Sequence, residues 1–283
     1  MNSYGALTPT DLPTMPTPRA RGMVLLWNPQ AELRDFLAVI EGDPGLTAGV
    51  LRAANSAHSA PVEQVSTARN AIVRIGLAAA RDITVAALTR AEFERLDESG
   101  LDPDLIWRWL LAIGLLAESF AVHDGLPPEE HQAAFTAGLL HGVGRLSYAS
   151  RLPARYQQVV ELVRAGYKPL DAEHQVFGAD SNHLTTQIAH DWSLPSPLFE
   201  AIVTADGDKP SHLASLLAEA MVVAADLGFE DGFPRELLDE PTTVLPVDHP
   251  RASTVEAIGG AEGVRERVNW FRHATAPRAQ LQP

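Results

Sequence analysis

The chain has 283 residues, 46% hydrophobic and 20% charged, and its 36 acidic against 22 basic residues give a net charge of −14. The absence of cysteine excludes disulfides, thiolate metal sites and thiol nucleophiles, and the acidic balance disfavours nucleic acid as a partner. The N-terminus lacks a basic segment followed by an apolar one, and no run approaches the length of a membrane-spanning helix, so a cytoplasmic protein without a membrane partner is expected.

Residues 1–22 carry Pro9, Pro13, Pro16 and Pro18 and read as an extended leader, which also holds the longest basic cluster, Arg19 to Arg21. From Ala31 the helical period takes over, with Leu33, Phe36, Leu37 and Ile40 at spacings of three and four until Gly42-Asp43-Pro44. Pro44 suits the first turn of a second helix capped by Asp43, which buries Leu46, Val50 and Leu51 and ends near Asn55-Ser56. Ser66 or Thr67 caps a helix that Gly76 stops, and a longer helix follows over about 77–96. Asp102-Pro103 opens the most apolar helix, where Ile106, Leu110, Ile113, Ala117 and Phe120 make one stripe, and His123-Asp124-Gly125 closes it.

Pro127-Pro128 starts another helix, and Ala133 to Leu146 reads as one buried run. Further helices are predicted over 153–165, 169–177, 181–191, 196–204 and 211–227. A connection rich in Pro and Asp spans 229–251, followed by an amphipathic helix over 253–272 and a polar tail. Strand alternation is absent, so the fold class is all-α.

Four passages occur in a family-like order. They are Asp43-Pro44-Gly45-Leu46-Thr47 with Leu51-Arg52-Ala53-Ala54-Asn55-Ser56; Ala71-Ile72-Val73-Arg74-Ile75-Gly76; Ala137-Gly138-Leu139-Leu140-His141-Gly142-Val143-Gly144; and Trp192-Ser193-Leu194-Pro195 followed by Ala201-Ile202. Together they resemble the HDOD domain, a helical branch of the HD phosphohydrolase superfamily, over roughly residues 20–228. The resemblance implies a multi-helix bundle with an N-terminal half (about 23–100), a degenerate HD-like half (about 101–228) and a C-terminal extension (229–283). Asn55, Ser56, Gly76, Trp192 and Pro195 are its motif residues.

HD-type phosphohydrolases hold metals with His and Asp side chains from several helices, because a divalent cation acidifies a bound water and neutralises phosphate charge. The resemblance implies that most of this set is missing. A His one helix before the HD pair falls on Trp109, and the pair itself on His141-Gly142, where the bridging Asp has become Gly. A further His falls on Ser181, a His pair on Ala205-Asp206, and a late Asp on Asp226. The expectation is therefore no metal, no cofactor and no catalytic residue. His141 is read as a core His donating to a backbone carbonyl rather than as a residual ligand, with pairing to Asp226 as an open alternative.

Other histidines are weaker signals. His123-Asp124 and His190-Asp191 are HD dipeptides in the wrong context, and His183, Gln187 and His190 share one helix face that reads as exposed and polar. The glycines at 138, 142 and 144 lack the Lys-Ser or Lys-Thr of a phosphate loop and read as close-packing positions. Gly259-Gly260-Ala261-Glu262-Gly263 reads as a helix start or kink. Asn55 is read as a helix terminator whose side chain ties the next loop, with ligand recognition as the alternative.

Taken together, the expectation is a non-catalytic signalling or scaffold protein. It would act through a protein partner, of basic character given the acidic surface, or through a ligand-triggered change of shape. The alternative is a cyclic-dinucleotide receptor or residual phosphohydrolase, which would need cations such as Arg108, Arg145 and Arg151 to converge on His141.

Overall fold

A capping carboxylate and a proline start two of the helices in the same way. In the computed structural model, which describes residues 32–56, 64–91, 93, 96–192, 194–203, 210–233 and 245–276, Asp43 accepts from the N–H groups of Gly45 (2.7 Å) and Leu46 (3.2 Å) around Pro44. Asp102 likewise accepts from Asp104 (2.8 Å) and Leu105 (3.1 Å) around Pro103. Each satisfies amide donors that a helix start leaves unpaired, while the fixed φ of proline suits the first turn. The leader, the Ala205-Asp206 pair and the tail from residue 277 lie outside the described residues.

Among the described residues the regular elements are all helical, so the chain is all-α as its patterning predicts. In chain order they are α1 (Leu33–Glu41), α2 (Pro44–Asn55), α3 (Ala68–Ile75), α4 (Leu77–Arg90), α5 (Pro103–His123), α6 (Pro128–Leu140) and α7 (Val143–Arg151). They continue as α8 (Pro153–Arg164), α9 (Pro169–Phe177), α10 (Ser181–Asp191), α11 (Ser196–Val203), α12 (His212–Asp226), α13 (Ala252–Ala257) and α14 (Gly260–Thr275). The predicted helix over 77–96 stops at Arg90; Phe93 is buried from a non-helical position, and a single 3-10 turn follows at Leu96–Ser99.

Two other expectations are corrected. The run from Ala133 to Leu146 is buried as expected, apart from a half-buried His141, but it is divided between two helices rather than lying in one. The His141 ring occupies the Gly138 carbonyl that an unbroken helix would offer to the Gly142 amide, and α7 restarts with Leu146 donating to Gly142. The terminal segment predicted over 253–272 also divides: Gly259 (φ 94°), between α13 and α14, and Gly260 (φ 65°), the first residue of α14, take left-handed conformations, so this glycine stretch is a helix start, one of the two readings given for it.

The described residues fall into two units, one within 93–261 and one formed by residues up to 92 together with those from 262. In the first, α5 packs against α6 and α12, α7 against α10, and α8 against α9. Leu110, Leu111, Ile113, Leu116 and Phe120 of α5 are wholly buried, each such side chain contributing about 1.5–3 kcal/mol. A Cβ on Gly138 of α6 would lie 2.5 Å from the Gly114 Cα of α5, so the two backbones touch. With 21 residues, α5 is long and apolar enough to span a membrane, which corrects the expectation that no run approaches that length. Arg108 and Glu118 interrupt the apolar run in sequence, and most of the helix is buried inside the protein, the pattern of a core helix. In the second unit, α2 packs against α1, α3 and α4.

Candidate functional site

The junction of α6 and α7 carries His141. Its Nδ1–H donates to the Gly138 carbonyl at 2.6 Å, and its ring meets the Trp109 ring of α5 with centroids 4.7 Å apart. Nε2 is buried and makes no hydrogen bond among the described residues. Burial lowers the His141 pKa to about 4; the Gly138 bond opposes this and the nearby Arg145 charge adds to it, so the ring is neutral at neutral pH. A Cβ on Gly142 would lie 2.6 Å from Leu110 Cδ2 and 3.7 Å from the Trp109 ring. The aspartate of an HD pair has no room here unless Leu110 moves.

Thr185 of α10 closes the junction from the other side. Its hydroxyl accepts from the Gly144 amide (3.0 Å) and lies within donating distance of the His141 (3.1 Å) and Ser181 (2.8 Å) carbonyls. This contact requires glycine at 144, where a Cβ would lie 2.0 Å from the Ser181 carbonyl oxygen, far inside van der Waals contact.

One turn on, Arg145 builds a buried ionic cluster. Its Nε donates to Glu173 of α9 at 2.9 Å and its Nη1 to Asp231 at 2.8 Å. Glu173, fully buried, also accepts from the Tyr156 hydroxyl (2.7 Å) and the Ser181 amide (2.9 Å). The guanidinium stacks 5.2 Å from the Phe233 ring centroid and 6.0 Å from that of Trp109. Burial alone would make Arg145 less basic, but Glu173, Tyr156 and Asp231 hold it above its ordinary pKa. Burial and the Glu173 charge push the Tyr156 phenol well above its ordinary range, although Arg145 opposes them. Gly232 places the partner loop: its carbonyl accepts from the Asp102 amide at 2.8 Å, which anchors Asp231 and Phe233 beside the start of α5. Sequence reasoning named Arg145 as a candidate cation and missed Glu173, Asp231 and Tyr156. The available signal was a carboxylate on the buried side of α9.

The predicted site residues are thus only partly gathered. Trp109, His141 and Gly142 meet, and Ser181 joins them through Thr185. The alternative pairing of His141 with Asp226 is not formed, since Nε2 has no partner among the described residues. Nor do the three candidate cations converge: Arg108 pairs with Asp104 (3.4 Å), Arg145 with two carboxylates, and Arg151 is exposed. His183, Gln187 and His190 are exposed, as expected, with Gln187 Nε2 3.1 Å from His183 Nε2. Asp124 of the first HD dipeptide serves a surface cluster, where Arg251 donates to both its oxygens (2.6 and 2.9 Å) and holds its carboxyl well below the usual range.

Residues 12–206 match the HDOD domain. The chain belongs to the HDOD domain family. Two solved structures show the same fold. One, from Shewanella amazonensis and named "putative phosphohydrolase", is 24% identical, with 94% of this chain and 93% of that one covered and a TM-score of 0.67. The other, from Marinobacter aquaeolei and named "putative signal transduction protein", is 20% identical, covering 94% of this chain and 58% of that one, with a TM-score of 0.65. An uncharacterized protein of Treponema pallidum is 22% identical over 198 residues, 68% of this chain but only 37% of that protein's length.

The HDOD motif in the other unit has a structural use. Asn55 donates to the Val65 carbonyl and accepts from the Val65 amide, both at 2.8 Å, so its side chain ties the end of α2 to Val65. Ser56 Oγ accepts from the Trp270 indole N–H of α14 (3.0 Å). Arg52 reaches the end of the same helix, donating to the carbonyls of Ala274 (2.7 Å) and Ala276 (3.2 Å), a favourable place for a cation. Gly76 (φ 86°) permits the turn from α3 to α4. The Pro195 carbonyl accepts from Leu198 and Phe199 at the start of α11, and Trp192 ends α10.

The described residues at the HD positions do not fit the metals of HD-type relatives. Trp109 offers carbon, Gly142 offers no carboxylate, and Ser181 offers a neutral hydroxyl in place of an imidazole. Among the described residues no group of three or more His, Asp or Glu is placed to hold a metal ion. A lone neutral imidazole falls short of the three or four ligands a catalytic or structural site needs.

Proposed function

We propose that this HDOD chain is a non-catalytic signalling or scaffold protein that acts by binding a protein partner. The observation that carries the reading is the Trp109 ring against His141 beside Gly142. Hydrolysis in the HD manner needs a metal-activated water, and here the bridging carboxylate is missing while an indole fills space next to the surviving His. Arg145, the cation nearest the junction, is neutralised by Glu173 and Asp231 and has little charge to offer a phosphate. This weighs against the cyclic-dinucleotide receptor as well as the residual phosphohydrolase. The net charge of −14 favours long-range attraction of a basic partner.

Metal content of the purified protein, measured with a hydrolysis screen on cyclic dinucleotides and simple phosphodiesters, tests the reading. No stoichiometric metal and no turnover are expected. Bound metal that disappears in His141→Ala, together with turnover, would overturn it.

A further inference from the structure

The outer face of α3 runs against the charge of the chain. Arg69, Asn70, Val73 and Arg74 lie on one side of this helix at helical spacing and are all exposed, while Ala68, Ala71 and Ile72 turn inward. Val73 is 73% exposed, an unusual position for a β-branched apolar side chain, and Leu77 just beyond the Gly76 turn is 37% exposed. The helix contains no carboxylate. Among the described residues Arg69 makes no ion pair, and Arg74 spends only one long bond (3.4 Å) on the Ala54 carbonyl. Among the described residues, two guanidinium groups without a carboxylate partner therefore flank an exposed valine in a protein of net charge −14.

We infer that this face of α3 is a docking surface for an acidic, amphipathic helical segment of a partner protein. Apolar side chains of that segment would cover Val73 and Leu77, while glutamate or aspartate at neighbouring turns would pair with Arg69 and Arg74. Net charge governs steering at long range, but exposed charges are screened beyond about 8 Å at physiological ionic strength, so the local pair of arginines decides what docks. Arginine also suits bidentate pairing with carboxylates. A nucleic acid fits less well. Its phosphates would gain two cations here, face a valine between them, and meet the repulsion of the acidic remainder. The inference rests on the adapter reading and refines it: the partner as a whole is drawn in by its basic charge, while the segment that docks on α3 is locally acidic. Turnover with bound metal would remove that reading, whereas the docking face is tested by binding alone.

The test titrates the full chain into a fluorescent synthetic helix of about 14 residues, with leucines on one face and glutamates on either side, followed by anisotropy. Parallel probes replace Glu by Lys, replace Leu by Ser, or use duplex DNA. The Glu/Leu helix is expected to bind at least about tenfold more tightly than the others. Val73→Asp and the double variant Arg69→Glu/Arg74→Glu should each weaken it at least about tenfold without changing the melting temperature, since the positions are exposed. Absence of binding, equal binding of all peptides, preference for DNA, or variants without effect would each overturn the inference. A dimer of the chain that Val73→Asp dissolves would assign the face to a second copy and overturn it too.

Discussion

The rings of Trp109 and His141 meet edge to face, with centroids 4.7 Å apart and planes inclined by 64°. Burial, with a smaller push from the Arg145 charge and against the Gly138 bond, lowers the imidazole pKa to about 4 and keeps the ring neutral at neutral pH. The unfolded chain binds a proton at His141 near the ordinary value of about 6.5. Its contribution to stability is therefore full above about pH 6.5 and is lost as pH falls towards 4, by roughly 3 kcal/mol in all. Urea unfolding between pH 4 and 7 should give a shallower dependence for His141→Asn than for the natural chain. Identical slopes would contradict the assignment.

Gly142 and Gly144 are two residues apart but should respond differently to alanine. At Gly142 the added Cβ meets the end of the Leu110 side chain, which can shift, and a loss of about 1 kcal/mol is expected. At Gly144 it meets the Ser181 carbonyl of α10, which moves only with its helix. There the loss should reach about 3 kcal/mol or more. Denaturation midpoints of the two variants check this, and equal losses would count against the packing described.

The Arg145–Glu173 pair should behave as a coupled unit. Arg145→Met leaves the Glu173 carboxylate buried without its countercharge, at a cost of about 3–5 kcal/mol. Removing both charges in Arg145→Met/Glu173→Met relieves that penalty, so the double variant should lose clearly less than the two singles added together. Strict additivity in a double-mutant cycle would mean that the pair is not coupled.

Asn55→Ala removes both bonds to Val65, and a loss of about 1–3 kcal/mol is expected. Hydrogen exchange at the Val65 amide should accelerate in step. Unchanged exchange there would show that Val65 is held by something other than Asn55.

The expectation of a degenerate site rests only on the identity of residues at spaced positions, Trp at 109, Gly at 142 and Ser at 181, and these were legible in the sequence. The filling of the vacated space was not. It depends on the α5 backbone running close beside α6 at Gly114 and Gly138, which brings Trp109 and Leu110 against the junction. The break at His141-Gly142 was also hidden, because apolar periodicity continues through it while a ring nitrogen takes the carbonyl the helix would have used.

By itself the sequence determined where helices start and which faces are apolar, since Asp43-Pro44 and Asp102-Pro103 act within one turn and amphipathic spacing repeats every three or four residues. Tertiary structure decided the rest. Arg145 finds Glu173 28 positions away and Asp231 86 away, and Arg52 finds Ala274 222 away. No local rule links such positions. They meet only after burial of the helix faces has offset the entropy of closing those loops, and the charged side chains then take whichever partners the packed backbone presents.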